Sequence, residues 1–162
     1  MRYLVSFILA LCSVAVCAQN QVINRPSAKS EVKSNVQASY SPLDKILVGT
    51  HLFSLQWISW EKFGKAKITK TGKKNVYKIS GRQDDARGNY LTIQGTIIAK
   101  SKTELVFKGK IITRVDYINN GQPCVRDGEY HFLQTEGRHY WRLQEMVNPC
   151  ESCCDYVDIF LK

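Results

Sequence analysis

The sequence predicts an all-β protein of about eight antiparallel strands in a meander that closes or half-closes into a barrel. Two observations predict this class: short runs of alternating apolar and polar residues fill the chain from residue 43 onward, and turn residues separate them. No segment is a convincing helix. Closing a meander removes its exposed strand edges, which favours the barrel; a two-sheet sandwich is the alternative.

The composition is that of one ordinary globular domain. The 162 residues are 44% hydrophobic and 23% charged, which is enough apolar material for a core. With 10 glycines, 4 prolines and no heptad pattern, collagen-like, coiled-coil and wholly disordered classes are excluded. The absence of an internal repeat also excludes solenoids and propellers.

The N-terminus has the pattern of a secretory signal peptide, which we assign to residues 1–18. An arginine precedes a short apolar run, and Ala18 ends it with a small residue. We therefore expect an exported protein, periplasmic or extracellular, with no transmembrane segment in the mature chain. The alternative is a lipid anchor through Cys17, at the end of the apolar run.

Two regions follow the signal peptide. Residues 19–42 are rich in Gln, Asn, Ser and Lys without a strand or helix period, so we interpret them as a flexible leader. Residues 43–162 form the single barrel-like domain. Its predicted strands are His51–Trp60, Lys65–Thr69, Asn75–Gly81, Tyr90–Lys100, Leu105–Tyr117, Glu129–Thr135, His139–Met146 and Asp155–Leu161.

The alternation is clearest in the fifth of these strands. Gly109 interrupts it and predicts a bulge or a sharp bend, as in barrels. On the last strand, Tyr156, Asp158 and Phe160 face away from the core, so both faces of this strand carry apolar bulk. The residues of the fifth strand that share one parity, and that we assign to the core, are Leu105, Phe107, Ile111, Val115 and Tyr117.

Four cysteines remain after removal of the signal peptide: Cys124, Cys150, Cys153 and Cys154. In an exported protein the expected state is disulfides, which would link Cys124 to one of the other three and place a second bridge within that group. We disfavour the pairing that joins the adjacent Cys153 and Cys154, because its ring is strained. A zinc site or a redox-active Cys-x-x-Cys pair are the alternatives.

Catalytic constellations are scarce, so we predict a protein that is not an enzyme. There is no Gly-x-Ser-x-Gly elbow, phosphate-binding glycine loop or His-Glu-x-x-His helix. His131 and His139 could meet across a hairpin, but two histidines without a third ligand do not indicate a metal. We predict no metal and no cofactor.

Aromatic and basic residues give the functional hypothesis. Trp57, Tyr140, Trp141 and Arg142 are the predicted ligand-binding residues, since a barrel interior lined by such side chains could hold a small apolar or amphipathic ligand. The formal net charge of +9 indicates anionic envelope components as partners, and we expect no nucleic acid for an exported protein.

The layout of residues 47–161 resembles the small barrels of lipocalins and fatty-acid-binding proteins. That resemblance implies ligand binding inside the barrel. The Gly-x-Trp signature of the group has no counterpart, because Gly49-Thr50 is followed by His51. The segments 140–144 and 155–159 are similar to parts of uncharacterised small exported bacterial proteins, for which no activity is implied.

The predicted function is therefore that of an exported, non-catalytic binding module. In the first version a small apolar or amphipathic ligand occupies the barrel interior. In the alternative the barrel is filled by its own side chains, and the outer surface contacts an anionic envelope component or a protein partner. A cavity lined by Trp57 and Trp141 would favour the first version, and a packed interior the second.

Overall fold

The computed structural model describes residues 41–162, and within them eight antiparallel strands form a closed barrel. Each strand pairs with the next in sequence, and the last returns to the first. The predicted all-β meander is confirmed, and the barrel forms in place of the sandwich. The strands are β1 (Gly49–Leu55), β2 (Gly64–Lys70), β3 (Val76–Asp84), β4 (Tyr90–Ala99), β5 (Glu104–Arg114), β6 (Cys124–Leu133), β7 (Tyr140–Leu143) and β8 (Val157–Phe160).

The predicted strands overlap all eight observed ones, and the differences lie at their ends. The predicted signal peptide and residues 19–40 of the predicted leader lie outside the described residues. β1 ends at Leu55, so Trp57 and Trp60 lie in the turn that follows it and not in the strand. β5 ends at Arg114, and the assignment of Tyr117 to the core was wrong: its side chain is 60% exposed. A period of two predicts the buried face only while the backbone stays extended.

The expectation of no helix was also wrong. Helix α1 (Pro42–Leu47) precedes β1, and its first turn is held by a reciprocal cap. The Ser41 hydroxyl accepts from the Asp44 backbone N–H, and the Asp44 carboxylate accepts from the Ser41 backbone N–H. Proline at the first helical position loses no hydrogen bond there. Six residues are too few to show a helical period, so only this cap could have indicated the helix.

Asp44 also attaches α1 to the barrel. Its carboxylate accepts hydrogen bonds from Lys70 Nζ on β2 and from the Tyr77 hydroxyl on β3, each at 2.8 Å. The hydrogen bond from Lys70 is the main reason that the pKa of Asp44 falls to about 2. Burial, followed by the bond to Asp44, raises the pKa of Tyr77 to about 12. Three elements are thus joined through one carboxylate.

The barrel interior is filled by side chains from all eight strands. Inward positions alternate along each strand, and Val157 and Ile159 on β8 are fully buried, as predicted. His51, at the position of the missing tryptophan, has its two ring nitrogens 2.8 and 2.7 Å from the carbonyl oxygens of Phe160 and Leu47. The largest fully buried side chains are Trp141, Tyr77, Phe53, Phe107 and Phe132.

Glycines allow neighbouring strands to approach closely at one level of the barrel. Gly95 on β4 pairs with Gly109 on β5, which pairs in turn with Gly128 on β6. A Cβ atom on Gly95 would lie 2.3 Å from the carbonyl oxygen of Lys108 and 2.7 Å from the Phe107 ring. The register continues through Gly109 without an extra residue, so Gly109 does not form a bulge, and the alternative of a sharp bend stays a prediction.

The Gly95→Ala variant tests this close approach. Because the nearest atom is a backbone oxygen that cannot rotate away, we expect the free energy of unfolding to fall by about 1–3 kcal/mol, measured by urea denaturation. The control is Gly72→Ala, whose Cβ would meet no atom within 4 Å. Equal urea midpoints for the two variants would show that the strands accommodate the added methyl group without loss of stability.

The Asp44→Asn variant tests the attachment of α1. At pH 7 we expect a loss of about 1–3 kcal/mol of unfolding free energy, because the charge-assisted bond from Lys70 is lost. The folded-state pKa lies below the unfolded value of about 3.9, so this stabilisation is complete above that value and is lost as the pH falls toward 2. The difference in unfolding free energy between wild type and variant, measured by chemical denaturation, should therefore decrease as the pH falls across that range. Asp84→Asn, in an exposed pair with Arg82, should show little change at any pH.

Candidate functional site

The structure separates the four predicted ligand-binding residues. Trp141 is fully buried in the interior, and its indole N–H donates to the Lys102 carbonyl at 2.9 Å. Tyr140 and Arg142, its neighbours on β7, point to the outer face. Trp57 lies in the turn after β1 and donates its indole N–H to the Asp155 carboxylate at 3.1 Å. The four side chains thus do not line one chamber, and their role in ligand binding stays a prediction.

Arg142 belongs to an aromatic cluster outside β7 and β8. Its guanidinium makes two hydrogen bonds, of 2.8 and 2.7 Å, to the buried carboxylate of Asp158. The guanidinium carbon lies 4.9 Å from the centre of the Tyr140 ring and 4.4 Å from that of Tyr156. Phe160 packs against Tyr140 with ring centres 5.4 Å apart. The predicted second apolar face of the last strand is this cluster, which covers an ion pair.

A second ion pair closes one part of the interior. Arg126 on β6 and Asp155 before β8 are almost fully buried and lie 2.8 Å apart. The same carboxylate accepts from Asn148 Nδ2 at 3.0 Å, and Arg126 also donates to the Val147 carbonyl at 3.1 Å. No buried side-chain nitrogen or oxygen of residues 41–162 lacks a hydrogen-bond partner. This network is therefore saturated, which indicates a structural rather than a catalytic role.

One disulfide forms, and it joins Cys124 to Cys150. The sequence separation of 26 residues corresponds to a stabilisation of about 3 kcal/mol from loop closure. Cys153 and Cys154 are free, so the predicted second bridge is absent from the described part of the chain. The predicted link from Cys124 to one of the other three cysteines is confirmed. The expectation of a second bridge was wrong, because it assumed that every cysteine is oxidised. Burial raises the pKa of the Cys153 thiol, whereas Cys154 is exposed.

The two histidines of the predicted hairpin do not meet as metal ligands. His131 Nδ1 lies 2.8 Å from the Glu145 carboxylate, and this hydrogen bond raises the pKa of His131. His139 lies in the exposed turn before β7. Among residues 41–162 no three His, Cys, Asp or Glu side chains are grouped as metal ligands would be.

The outer side of β2 and β3 is a basic face, which we define by Lys65, Lys67 and Lys78. Lys67 stands opposite Ser80, and Lys78 opposite Thr69, so the two lysines are diagonal neighbours about 7–8 Å apart at their backbones. None of the three lysines has an ion pair among residues 41–162. The only acidic residue in the two strands is Asp84, at the end of β3, where it pairs with Arg82.

A shallow depression of about 400 Å³ lies in this basic face. Two ammonium groups and several hydroxyl or amide groups point toward it, which is a set of hydrogen-bond donors suited to an anion. The side chains that line it are Lys67, Thr69, Lys78, Ser80, Gln94 and Thr96.

Comparison with known proteins places the chain in a family. The model of the PM1083 family matches residues 29–161. The chain belongs to this family. It is similar to the uncharacterised protein PM1083 of Pasteurella multocida (strain Pm70), with 39% identity over 163 residues, which cover 98% of this chain and 97% of that protein. No solved structure matches the chain.

The family match spans all eight strands and extends upstream of them to residue 29. Within residues 41–162 no helix is long and apolar enough to span a membrane. The predicted membership in a family of uncharacterised proteins is confirmed. The predicted eight-stranded barrel is confirmed, and the likeness to lipocalins stays a prediction.

Sequence reasoning missed the basic face as a site. The net charge alone does not reveal this face, because the positions of its lysines relative to one another depend on the register of β2 against β3. The detectable signal is the alternation of Lys65, Lys67 and Thr69, which places three polar side chains on one side of a strand.

The redox state of the cysteines gives a direct test. Under non-reducing conditions we expect iodoacetamide to label Cys153 and Cys154, followed by peptide mapping in a mass spectrometer. Cys124 and Cys150 should be labelled only after reduction. Cys154 should react faster, because burial raises the pKa of the Cys153 thiol and lowers its thiolate fraction. A cross-linked peptide that contains Cys153 or Cys154 would contradict the structure, and Cys154→Ser should leave the Cys124–Cys150 bridge intact.

Proposed function

We propose that the protein is an exported, non-catalytic binding module whose basic face contacts an anionic component of the cell envelope. The observation that carries the proposal is the group of lysines without an ion pair in residues 41–162, Lys65, Lys67 and Lys78, of which the last two line a depression with hydroxyl groups. The anion is of the phosphate- or carboxylate-bearing class, since ammonium and hydroxyl donors recognise both. The disulfide is consistent with an oxidising compartment.

The filled interior favours this version over a ligand held inside the barrel. An eight-stranded barrel has room for its own side chains or for one small ligand. Here Trp141, Phe107 and Phe132 are fully buried at its centre, and Trp141 is held by a hydrogen bond. A ligand of the predicted apolar kind would need these side chains to move, at the cost of well-packed contacts.

The arrangement of charge on the basic face favours binding of an anionic polymer or surface over binding of a small anion. The lysines stand along two strands, and Lys73 and Lys74 continue the positive charge into the turn between them. Exposed ammonium groups in a row attract an extended array of charges over about one Debye length, roughly 8 Å in physiological salt. A single small anion would meet only a shallow, open site.

Two lysines on β5, separated from the basic face by β4, are different. Lys108 lies 2.6 Å from Glu129, and Lys110 lies 3.3 Å from Asp127. These two lysines therefore have local counter-charges, although they are as exposed as those of the basic face. They offer a control with the same change of net charge.

The test is binding of the full chain to vesicles of phosphatidylglycerol in phosphatidylcholine and, separately, to a carboxylate-bearing polysaccharide. We expect Lys67→Ser/Lys78→Ser to weaken binding about thirtyfold at low salt, from about 1 kcal/mol per lysine at an anionic surface. Lys108→Ser/Lys110→Ser should weaken it less than about threefold. Co-sedimentation and its salt dependence are the measurements.

The proposal is supported if binding to either probe is weakened strongly by Lys67→Ser/Lys78→Ser and only slightly by Lys108→Ser/Lys110→Ser. Equal losses for both double variants would show attraction by net charge alone, without a site, and would contradict it. Absence of binding to both probes at low salt would contradict it as well.

A further inference from the structure

One half of the barrel wall carries almost no negative charge. Strands β7, β8, β1 and β2 are neighbours in the ring, and Asp158 is the only acidic residue within these four strands. Its carboxylate is buried, and Arg142 neutralises it through two hydrogen bonds. Strands β5 and β6, by contrast, contain Glu104, Asp127 and Glu129. An anionic surface laid along β7, β8, β1 and β2 would therefore meet no exposed carboxylate of these strands.

Apolar side chains cross this half of the wall in a row. Phe160 of β8 pairs with Tyr140 of β7, and their ring centres lie 5.4 Å apart on the outer side. The pairing of β8 with β1, continued by one residue beyond Ile159, places Leu52 beside Phe160. Phe63, just before β2, also packs against Phe160, with ring centres 4.9 Å apart. We call Leu52, Phe63, Phe160 and Tyr140 the apolar band.

Solvent reaches the whole apolar band. Leu52 is 46% exposed, and the three aromatic side chains of the band are half-buried. Single exposed apolar residues are normal on a protein surface, whereas adjoining ones that solvent reaches indicate a contact site. The apolar band is therefore a candidate for contact with another molecule.

The apolar band is continuous with the basic face. Leu52 stands directly opposite Lys65 in the pairing of β1 with β2, and Thr50 stands opposite Lys67. Lys65 and Lys67 alternate with buried residues along β2, so their side chains lie on the outer side, as that of Leu52 does. Ammonium groups and apolar side chains thus share one side of the barrel.

We propose that the basic face and the apolar band together lie on an anionic lipid bilayer. This inference rests on the proposed function and names lipid, rather than polysaccharide, as the anionic partner. Lysines attract anionic headgroups, while leucine and aromatic side chains enter the boundary between headgroups and acyl chains. A tyrosine suits this depth, because its ring is apolar and its hydroxyl is polar. An anionic polysaccharide would use the lysines and leave the apolar band in water.

The contact is limited to one side of the barrel. Lys108 with Glu129 and Lys110 with Asp127 place paired charges on the outer side of β5 and β6. Transfer of such pairs from water into the acyl-chain region is unfavourable. The barrel therefore rests on the lipid surface by the side that carries β1 and β2.

The test compares two serine variants of the full chain in co-sedimentation with vesicles of phosphatidylglycerol in phosphatidylcholine. Leu52→Ser removes the most exposed side chain of the apolar band, and Val125→Ser removes one of similar exposure, 49%, from β6. We expect Leu52→Ser to weaken vesicle binding at least about fourfold, because binding then removes less apolar area from water. Val125→Ser should bind within about twofold of wild type, since β6 lies outside the contact.

The carboxylate-bearing polysaccharide distinguishes the two classes of partner. Leu52→Ser should leave polysaccharide binding within about twofold of wild type, because only the lysines contribute to it. Added salt should weaken polysaccharide binding more than vesicle binding, since screening acts on charges and not on apolar contacts.

A tryptophan at each of the same two positions reports where the bilayer lies. Addition of vesicles should shift the emission of Leu52→Trp to shorter wavelength relative to wild type, because the added indole leaves water for the interface. Val125→Trp should show no such shift beyond that of wild type. This measurement decides the matter should Leu52→Ser not fold.

Three results would overturn the inference. The first is equal vesicle binding by Leu52→Ser and Val125→Ser, and the second is an emission shift that is absent from Leu52→Trp. The third is a loss of polysaccharide binding in Leu52→Ser as large as its loss of vesicle binding, which would assign the apolar band to the polysaccharide.

The lysine variants separate this failure from failure of the proposed function. If Lys67→Ser/Lys78→Ser loses more binding than Lys108→Ser/Lys110→Ser while the variants of Leu52 behave as those of Val125, the basic face stands and only the lipid contact is wrong. If the two lysine variants lose binding equally, the proposed function fails and the inference fails with it.

Discussion

The pairing of β1 with β8 is the contact on which the rest of the structure depends. Only three residue pairs join these strands, from Phe53 with Ile159 to Leu55 with Val157. They turn a twisted meander with two open edges into a ring, and the ring encloses the large aromatic side chains. His51 reinforces the closure, because its ring contacts the carbonyls of Leu47 and Phe160 on both sides of the joint. Histidine at this position thus presents two ring nitrogens to the backbone, whereas a tryptophan would present one indole N–H.

The interior of the barrel is filled by its own side chains, so the proposed binding is assigned to the outer wall. The interior carries a saturated ion pair and five large rings, all of which stabilise the fold. The outer wall is divided by chemistry into separate regions. Unpaired lysines lie on β2 and β3, paired charges on β5 and β6, and an aromatic cluster around Arg142 on β7 and β8. The proposed binding face on β2 and β3 therefore shares no residue with the aromatic cluster.

The fold was predictable because each strand alternates, and alternation is visible in sequence without knowledge of the partners. The wrong predictions concern segments that are not extended strands, where alternation does not apply. Tyr117 and Trp57 lie beyond the last extended residue of a strand, and α1 is too short to show a period. The basic face was harder to predict, because it depends on the register of β2 against β3. The state of Cys153 and Cys154 depends on distances in space that spacing along the chain does not determine.

The strand order has one more consequence. Since every strand is bonded to its neighbours in sequence and β8 to β1, the connectivity is cyclic. A circular permutant that joined the end of β8 to the start of α1 and opened the chain at another hairpin would keep every strand pairing. The turn between β6 and β7 already lies at the narrowest seam of the wall. In such a molecule the new ends would leave at the paired end of this seam, and the chain would continue from β8 through α1 into β1.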